Sequence, residues 1–143
     1  MKGFRDEAEF RRAFERIFEL MNETPAVGRK LRDAHAPHRF LLTDLGLEFN
    51  VNGAPEAEEA KGRFLRWTWG KADWEPVVTM RMTSEVANRF FQGKENVPLA
   101  IALGRVKLSG PPLTLLQLAP VTNPVLPLYR AWLEKSGLRH LLA

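Results

Sequence analysis

The chain contains no cysteine, which excludes a disulfide framework and thiol catalysis and fits a reducing compartment. Its few serines, Ser84, Ser109 and Ser136, fall at a predicted helix start, strand end and helix end, and none sits in a G-x-S-x-G elbow. Phosphate-binding glycine loops are missing as well. Gly93–Lys94 lacks the earlier glycine and the Ser/Thr of a P-loop, and no G-x-G-x-x-G occurs. With three histidines in all, the nearest approach to a metal site is His35-x-x-His38 beside Asp33. Pro37 breaks helical spacing between the two rings and His140 is far along the chain, so no metal and no cofactor are expected. Asp44 and Glu48 fall on an alternating strand and read as a solvated face. No apolar run approaches the ~20 residues that cross a bilayer. The opening MKGFRDEAEF carries no hydrophobic signal core, and a cytoplasmic chain is expected.

A net charge of +4 and a pI near 9.8 raise the question of nucleic acid, which the distribution of charge answers. Arg11, Arg12 and Arg16 alternate with Glu7, Glu9, Glu15 and Glu19, as on a solvated helix face. Arg29, Lys30 and Arg32 are denser, yet there is no basic run of five, no helix-turn-helix and no aromatic RNA-binding signature. No nucleic-acid partner is expected. Transient contact with an anionic membrane surface suits the same charge.

At 143 residues the chain suits one domain, 1–143, long enough to bury about 70% of its unfolded surface. Residues 5–34 read as two helices. The first carries Phe10, Phe14, Ile17, Phe18 and Met21 on one stripe, and the second starts at Thr24–Pro25. The period then changes to two. Leu45, Leu47, Phe49 and Val51 alternate with polar residues, while Phe40 and Leu42 are out of phase with them, as a bend or bulge near Thr43–Asp44 would produce. Asn52–Gly53 is a turn dipeptide, followed by the loop or single helical turn APEAEEAKG. FLRWTWG and PVVTMRM read as further strands.

From Ser84 to Gly110 the sequence sets out two apolar helices and a strand. Ser84 is the expected cap of the first and Gly93 its end. Asn96 and Pro98 open the second, Gly104 closes it, and RVKLS is the strand. PPLTLLQLAP supplies a leucine-rich helix, and Asn123–Pro124 opens a last one ending at Gly137. The fold expected is α+β: a five-stranded, largely antiparallel sheet over residues 39–110, covered on one face by helices that include 112–136.

The apolar residues after Ser84 exceed what one sheet face needs. Short helices interrupted at Pro98, Pro111, Pro112, Pro120, Pro124 and Pro127 suit the wall of an apolar cavity.

The run ANRFFQGKENVPLAIALG, the segment Gly104-Arg105-Val106-Lys107-Leu108-Ser109-Gly110 and the following leucine-rich helix with LYRAWL resemble the sterol carrier protein 2 family. The likeness in element order spans residues 36–135, with the specific motifs in 84–133. It implies a hydrophobic tunnel for a fatty acid, acyl-CoA, phospholipid, isoprenoid or sterol, and a non-catalytic carrier. By the same resemblance Phe90, Phe91, Ile101, Leu103, Val106 and Leu108 form tunnel wall, and Leu115, Leu116, Leu118, Leu128 and Trp132 form a mobile cover. Arg105 and Lys107 are the expected head-group contacts. The last residues, HLLA, carry no peroxisomal address, a departure from the eukaryotic carriers, and the resemblance is to a bacterial-type, stand-alone member. Two other readings stay open: an accessory module of a lipid or quinone biosynthetic enzyme, and an enzyme acting on a hydrophobic substrate.

Overall fold

The computed structural model describes residues 3–143. Helix α1 (Glu7–Glu23) starts at Asp6, whose carboxylate accepts the Glu9 N–H at 2.8 Å, with Glu7 and Glu9 favourably placed against the helix dipole. Its buried residues include Phe10, Phe14, Ile17, Phe18 and Met21, three or four apart and therefore on one side. Pro25 begins α2 (Pro25–Asp33), where a missing N–H leaves no bond unmade.

Five strands follow: β1 (His38–Leu42), β2 (Leu47–Gly53), β3 (Leu65–Trp69), β4 (Val78–Met82) and β5 (Lys107–Ser109), in the order β3-β2-β1-β4-β5. Every neighbouring pair is antiparallel except β1–β4, which is parallel. The register puts Phe40 opposite Phe49 and Met80, Trp69 opposite Phe49, and Leu108 opposite Met80. These side chains share the face that carries the helices. Arg39, Asn50, Thr79, Arg81 and Lys107 share the other face. Phe14 of α1 seats its ring edge-on against Phe49, with centroids 5.0 Å apart, and against Phe40 at 5.4 Å.

The structure corrects several expectations. Thr43–Gly46 is a complete reversal rather than a bend, with Gly46 at φ 64°. Four turn residues reset the alternation, which is why Phe40 and Leu42 share a face with Phe49 and Leu47 after all. Asn52 and Gly53 lie within β2, paired with Arg66 and Leu65. A Cβ on Gly53 would sit 3.0 Å from Arg32 Cγ, so close approach of α2, not a turn, requires the glycine. The reversal falls later and includes a 3-10 segment over Glu56–Lys61.

Helix α3 (Ser84–Phe90) is capped by Thr83, whose hydroxyl accepts the Val86 N–H at 3.2 Å. Ser84 stands one residue inside. Its hydroxyl and N–H donate to the two carboxylate oxygens of Asp44 at 2.6 and 2.8 Å, fastening α3 to the β1–β2 turn. Asn96 caps α4 (Val97–Ala102) by accepting from Leu99 N–H, and Gly104 follows at φ 76°. Helix α5 (Pro112–Leu118) runs into a 3-10 segment, Ala119–Val125, so α6 (Leu126–Lys135) begins beyond Asn123–Pro124 rather than at it. Pro124 has no N–H to donate, which interrupts α-helical bonding there, and the chain takes the tighter 3-10 path.

Candidate functional site

Between the inner sheet face and the helices lies a cavity of about 70 Å³. Phe18 and Met21 of α1 and Leu31 of α2 close one side, and His38, Phe40, Val51 and Met80 form the sheet floor. Phe90 and Phe91 form the α3 wall, and Leu115, Leu118, Ala119 and Thr122 form the roof. No charged side chain lines it. Ligand pockets commonly hold about 300–1,000 Å³, so this cavity is far smaller than the expected tunnel.

A second depression, about 430 Å³, opens outside the first between α4 and α5. Val97, Pro98 and Leu116 contribute apolar surface, and Glu95, Asn96 and Asn123 contribute polar atoms. Phe90, Ala119 and Thr122 line both spaces, so these three residues are the partition between cavity and groove.

The polar atoms of the cavity are few. Thr122 donates its hydroxyl to the Ala119 carbonyl at 2.7 Å, and the Asn52 carbonyl oxygen accepts the Gly53 N–H at 2.8 Å. His38 Nδ1 lies 2.6 Å from the Ala36 carbonyl oxygen. Burial lowers the His38 pKa from its ordinary 6.5 because desolvation penalises the charged ring, and the Ala36 contact opposes this more weakly. The imidazole is therefore neutral near pH 7.

Among the residues expected to form the site, the structure gathers Phe90, Phe91, Leu115 and Leu118 around the cavity and puts Leu116 in the outer groove. Val106 is buried in the core, while Ile101 and Leu108 are half-buried against it; none of the three reaches the cavity. Leu103 and Leu128 are exposed. Trp132 stacks on Tyr129, with ring centroids 6.3 Å apart, and carries the Arg12 guanidinium on its ring. Arg105 is held by Glu95, donating from Nε at 2.9 Å, and Glu95 also accepts from Arg89 Nε at 3.2 Å. Lys107 points from the sheet face opposite the cavity. Neither cation is a lining residue.

Sequence reasoning missed Phe18, Met21, His38, Phe40, Met80 and Thr122 as lining residues. Phe40 and Met80 were hidden by the unresolved strand phase, and His38 was weighed only as a metal ligand. Among the described residues no group of three or more His, Cys, Asp or Glu is positioned to hold a metal ion, and no helix is long and apolar enough to cross a membrane.

No family model and no curated protein matches the sequence. Solved structures do match in fold. The sterol carrier protein domain 2 of Helicoverpa armigera superposes with a TM-score of 0.59 at 19% identity, over 87% of this chain and 96% of that one. The ubiquinone synthesis protein UbiJ-SCP2 gives 0.60 at 9% identity, over 81% of this chain and 94% of that one. The inverting sec-alkylsulfatase Pisa1 from Pseudomonas sp. gives 0.54 at 20% identity over 66% of this chain. This chain spans only 14% of that sulfatase's length. The chain has a sterol carrier protein 2-like fold, α+β with a mixed, mostly antiparallel five-stranded sheet.

Proposed function

We propose that this chain is a non-catalytic binder of a hydrophobic small molecule, taken up between the inner sheet face and the helical layer. The observation that carries this reading is the charge-free cavity under a short roof helix. Helix α5 is seven residues long, has no side-chain cap and packs chiefly on the 3-10 segment behind it. Displacing that roof at Ala119 and Thr122, away from Phe90, merges the cavity with the outer groove, and the combined space reaches the scale of a lipid chain. Burying ~300 Å² of ligand at ~25 cal/mol per Å² yields about 7–8 kcal/mol before association costs, which caps binding at the micromolar range and suits a carrier that must also release.

The route of exchange also has a physical basis. Residues 96–129 contain no carboxylate, and this stretch carries the exposed Leu99, Leu103, Leu113, Leu116 and Leu128. The groove beside it has one carboxylate, Glu95, which is paired with Arg89 and Arg105, and apolar surface whose neighbouring negative charge is neutralised in this way suits contact with an anionic lipid surface.

The test is native mass spectrometry of protein purified from cells, together with displacement of a fluorescent fatty acid. A co-purified lipid or saturable displacement is expected; absence of both overturns the reading. A second reading, an accessory module of a lipid or quinone biosynthetic enzyme, is supported by the fold match to a segment of the alkylsulfatase and by that to UbiJ-SCP2, a ubiquinone synthesis protein. Stable co-purification of a biosynthetic enzyme with lipid-free protein would favour it.

A further inference from the structure

Strand β3 is one edge of the sheet, and its register with β2 fixes where its main-chain groups point. The Ala54 N–H donates to the Phe64 carbonyl and the Gly70 N–H to the Glu48 carbonyl, both at 2.8 Å. With no bulge between these two bonds, Arg66 and Thr68 also face β2, and the odd-numbered residues of β3 turn their N–H and C=O groups outward. Asn22 takes the outward N–H of Leu65 at 3.0 Å. Among the described residues, the outward groups of Trp67 and Trp69 have no partner except the Thr68 hydroxyl, which donates to the Trp69 carbonyl at 3.2 Å. Two neighbouring donor and acceptor pairs are therefore left on one edge.

The two edges of the sheet are not alike. β5 is three residues long and carries Lys107, both of which discourage pairing. β3 has five residues, with Trp67 and Trp69 half-buried on the inner face, no proline and no lysine. Its one charge, Arg66, lies on the outer face with its guanidinium over the Trp74 ring. Helix α1 stands back from this edge, because Phe14 and Phe18 pack on Phe40 of β1 and Phe49 of β2. Across a two-fold axis at the edge, two such helices stand three strand spacings apart, about 14 Å, wider than the about 8–10 Å between packed helices. A second sheet edge can reach this one without a clash of helices.

We infer that the β3 edge docks a second copy of this chain, the two β3 strands pairing antiparallel about a two-fold axis at Thr68 to join both sheets into one. In that register Trp67 of each copy exchanges both main-chain bonds with Trp69 of the other, so every free group is used, and the indoles line up across the inner face. Thr68 meets its own copy on the outer face. Arg66 comes opposite Gly70, where φ 80° turns the chain away from the edge. An axis at Trp67 would need the Leu65 N–H that Asn22 holds, and an axis at Arg66 would set two guanidiniums directly opposite. The Thr68 axis meets neither obstacle. Helix α4 leads into β5 at the far end of the strand order, so docking at β3 leaves the groove beside α4 and α5 open.

Because the chain has no cysteine, Thr68→Cys supplies a single thiol for the experiment. Opposed residues between the hydrogen-bonded pairs of antiparallel strands have Cα atoms about 4.5 Å apart, within disulfide reach. On mild oxidation Thr68→Cys is expected to form a disulfide-linked dimer at least about tenfold faster than Arg66→Cys, whose two thiols stand four residues, about 13 Å, apart along the paired strands. Sedimentation equilibrium of the unaltered chain should show the mass doubling as concentration rises. Thr68→Glu and Thr68→Lys each set like charges face to face and should hold the chain at the monomer mass, with thermal melts establishing that both variants fold. A chain that stays monomeric at every concentration overturns the inference, even if its edge takes up an extended peptide of another protein. A dimer indifferent to both charged variants, with the two cysteine variants cross-linking equally fast, puts the contact elsewhere and overturns it as well.

Discussion

The Tyr129 hydroxyl donates to the Asn88 side-chain oxygen at 2.7 Å, with both residues buried. Asn88 in turn donates to the Leu141 carbonyl at 2.8 Å, and Gln92 donates to the same carbonyl at 2.9 Å. Helices α3 and α6 and the C-terminal 3-10 turn, Arg139–Leu141, are thereby fastened into one unit. The wall that carries Phe90 and Phe91 is thus braced from behind, and any opening of the cavity falls to α5 and the segment after it.

Tyr129→Phe leaves the Asn88 oxygen buried without its donor. We predict a loss of about 1–3 kcal/mol of stability by urea unfolding, with little change in ligand affinity, because the hydroxyl lies outside the cavity. A loss of affinity at unchanged stability would mean that this brace does not do what its position implies.

Leu115→Trp is predicted to fill the cavity from the roof and abolish uptake of a neutral fluorescent probe. Phe90→Ala acts on the partition instead. It should cost about 3 kcal/mol, as is usual for a truncated core phenylalanine, yet raise the rate of probe uptake in stopped-flow mixing. Equal rates in Phe90→Ala and the unaltered chain would show that ligands do not pass this partition.

The depressed pKa of His38 sets a pH window for stability. The folded ring holds its proton less tightly than the unfolded one, whose pKa is near the ordinary 6.5. Between the two values the unfolded state binds more protons, so stability rises with pH: the contribution is complete above 6.5 and is lost as the pH falls through the folded value. The urea midpoint is expected to fall on acidification from neutral pH, and His38→Gln should flatten that fall. Glu59, whose carboxyl is held low first by Arg32 and then by Arg29, acts only in a more acidic window, below its ordinary 4.5.

Leu103 and Leu113 are 62% and 63% exposed, so replacing them with aspartate should leave the fold intact. We predict that the double variant loses flotation with vesicles of phosphatidylcholine and phosphatidylglycerol, that Lys94→Glu, at an exposed position between the groove residues Gly93 and Glu95, weakens it, and that added salt weakens it in the unaltered protein as well. Neutral phosphatidylcholine vesicles should bind poorly. A salt-insensitive interaction, or one unaffected by the leucine substitutions, would disprove contact through this face.

The legible parts of the fold were those specified locally. The Phe10–Met21 stripe, Pro25 at a helix start, the Asn96 cap and Gly104 each depend on neighbours within a few residues, and the helices stand where those signals put them. What escaped depends on distant partners. Gly53 looked like a turn residue because its reason, Arg32 of α2, lies elsewhere in the chain. Thr83 and Ser84 exchanged roles because Asp44 claims the serine. For the cavity, helix-borne members such as Phe90 and Leu115 were named only through the family resemblance, whereas His38, Phe40 and Met80 needed the strand register, which a four-residue turn shifted.

The strand order also dictates a sequence of folding events. β1, β2 and β3 can pair as a meander through short connections, but β1 must wait for β4, whose partner residues, such as Arg39 and Thr79, are 40 positions apart. We predict that Phe49→Leu slows folding, whereas Met80→Leu chiefly speeds unfolding; the reverse pattern in stopped-flow kinetics would refute this order. A chain emerging from the ribosome would then hold a half-sheet covered only by α1 before Met80, Leu115 and Leu118 exist to complete the cavity. The roof of the cavity exists only once residues 115–122 are made, so an earlier intermediate has nowhere to keep a ligand.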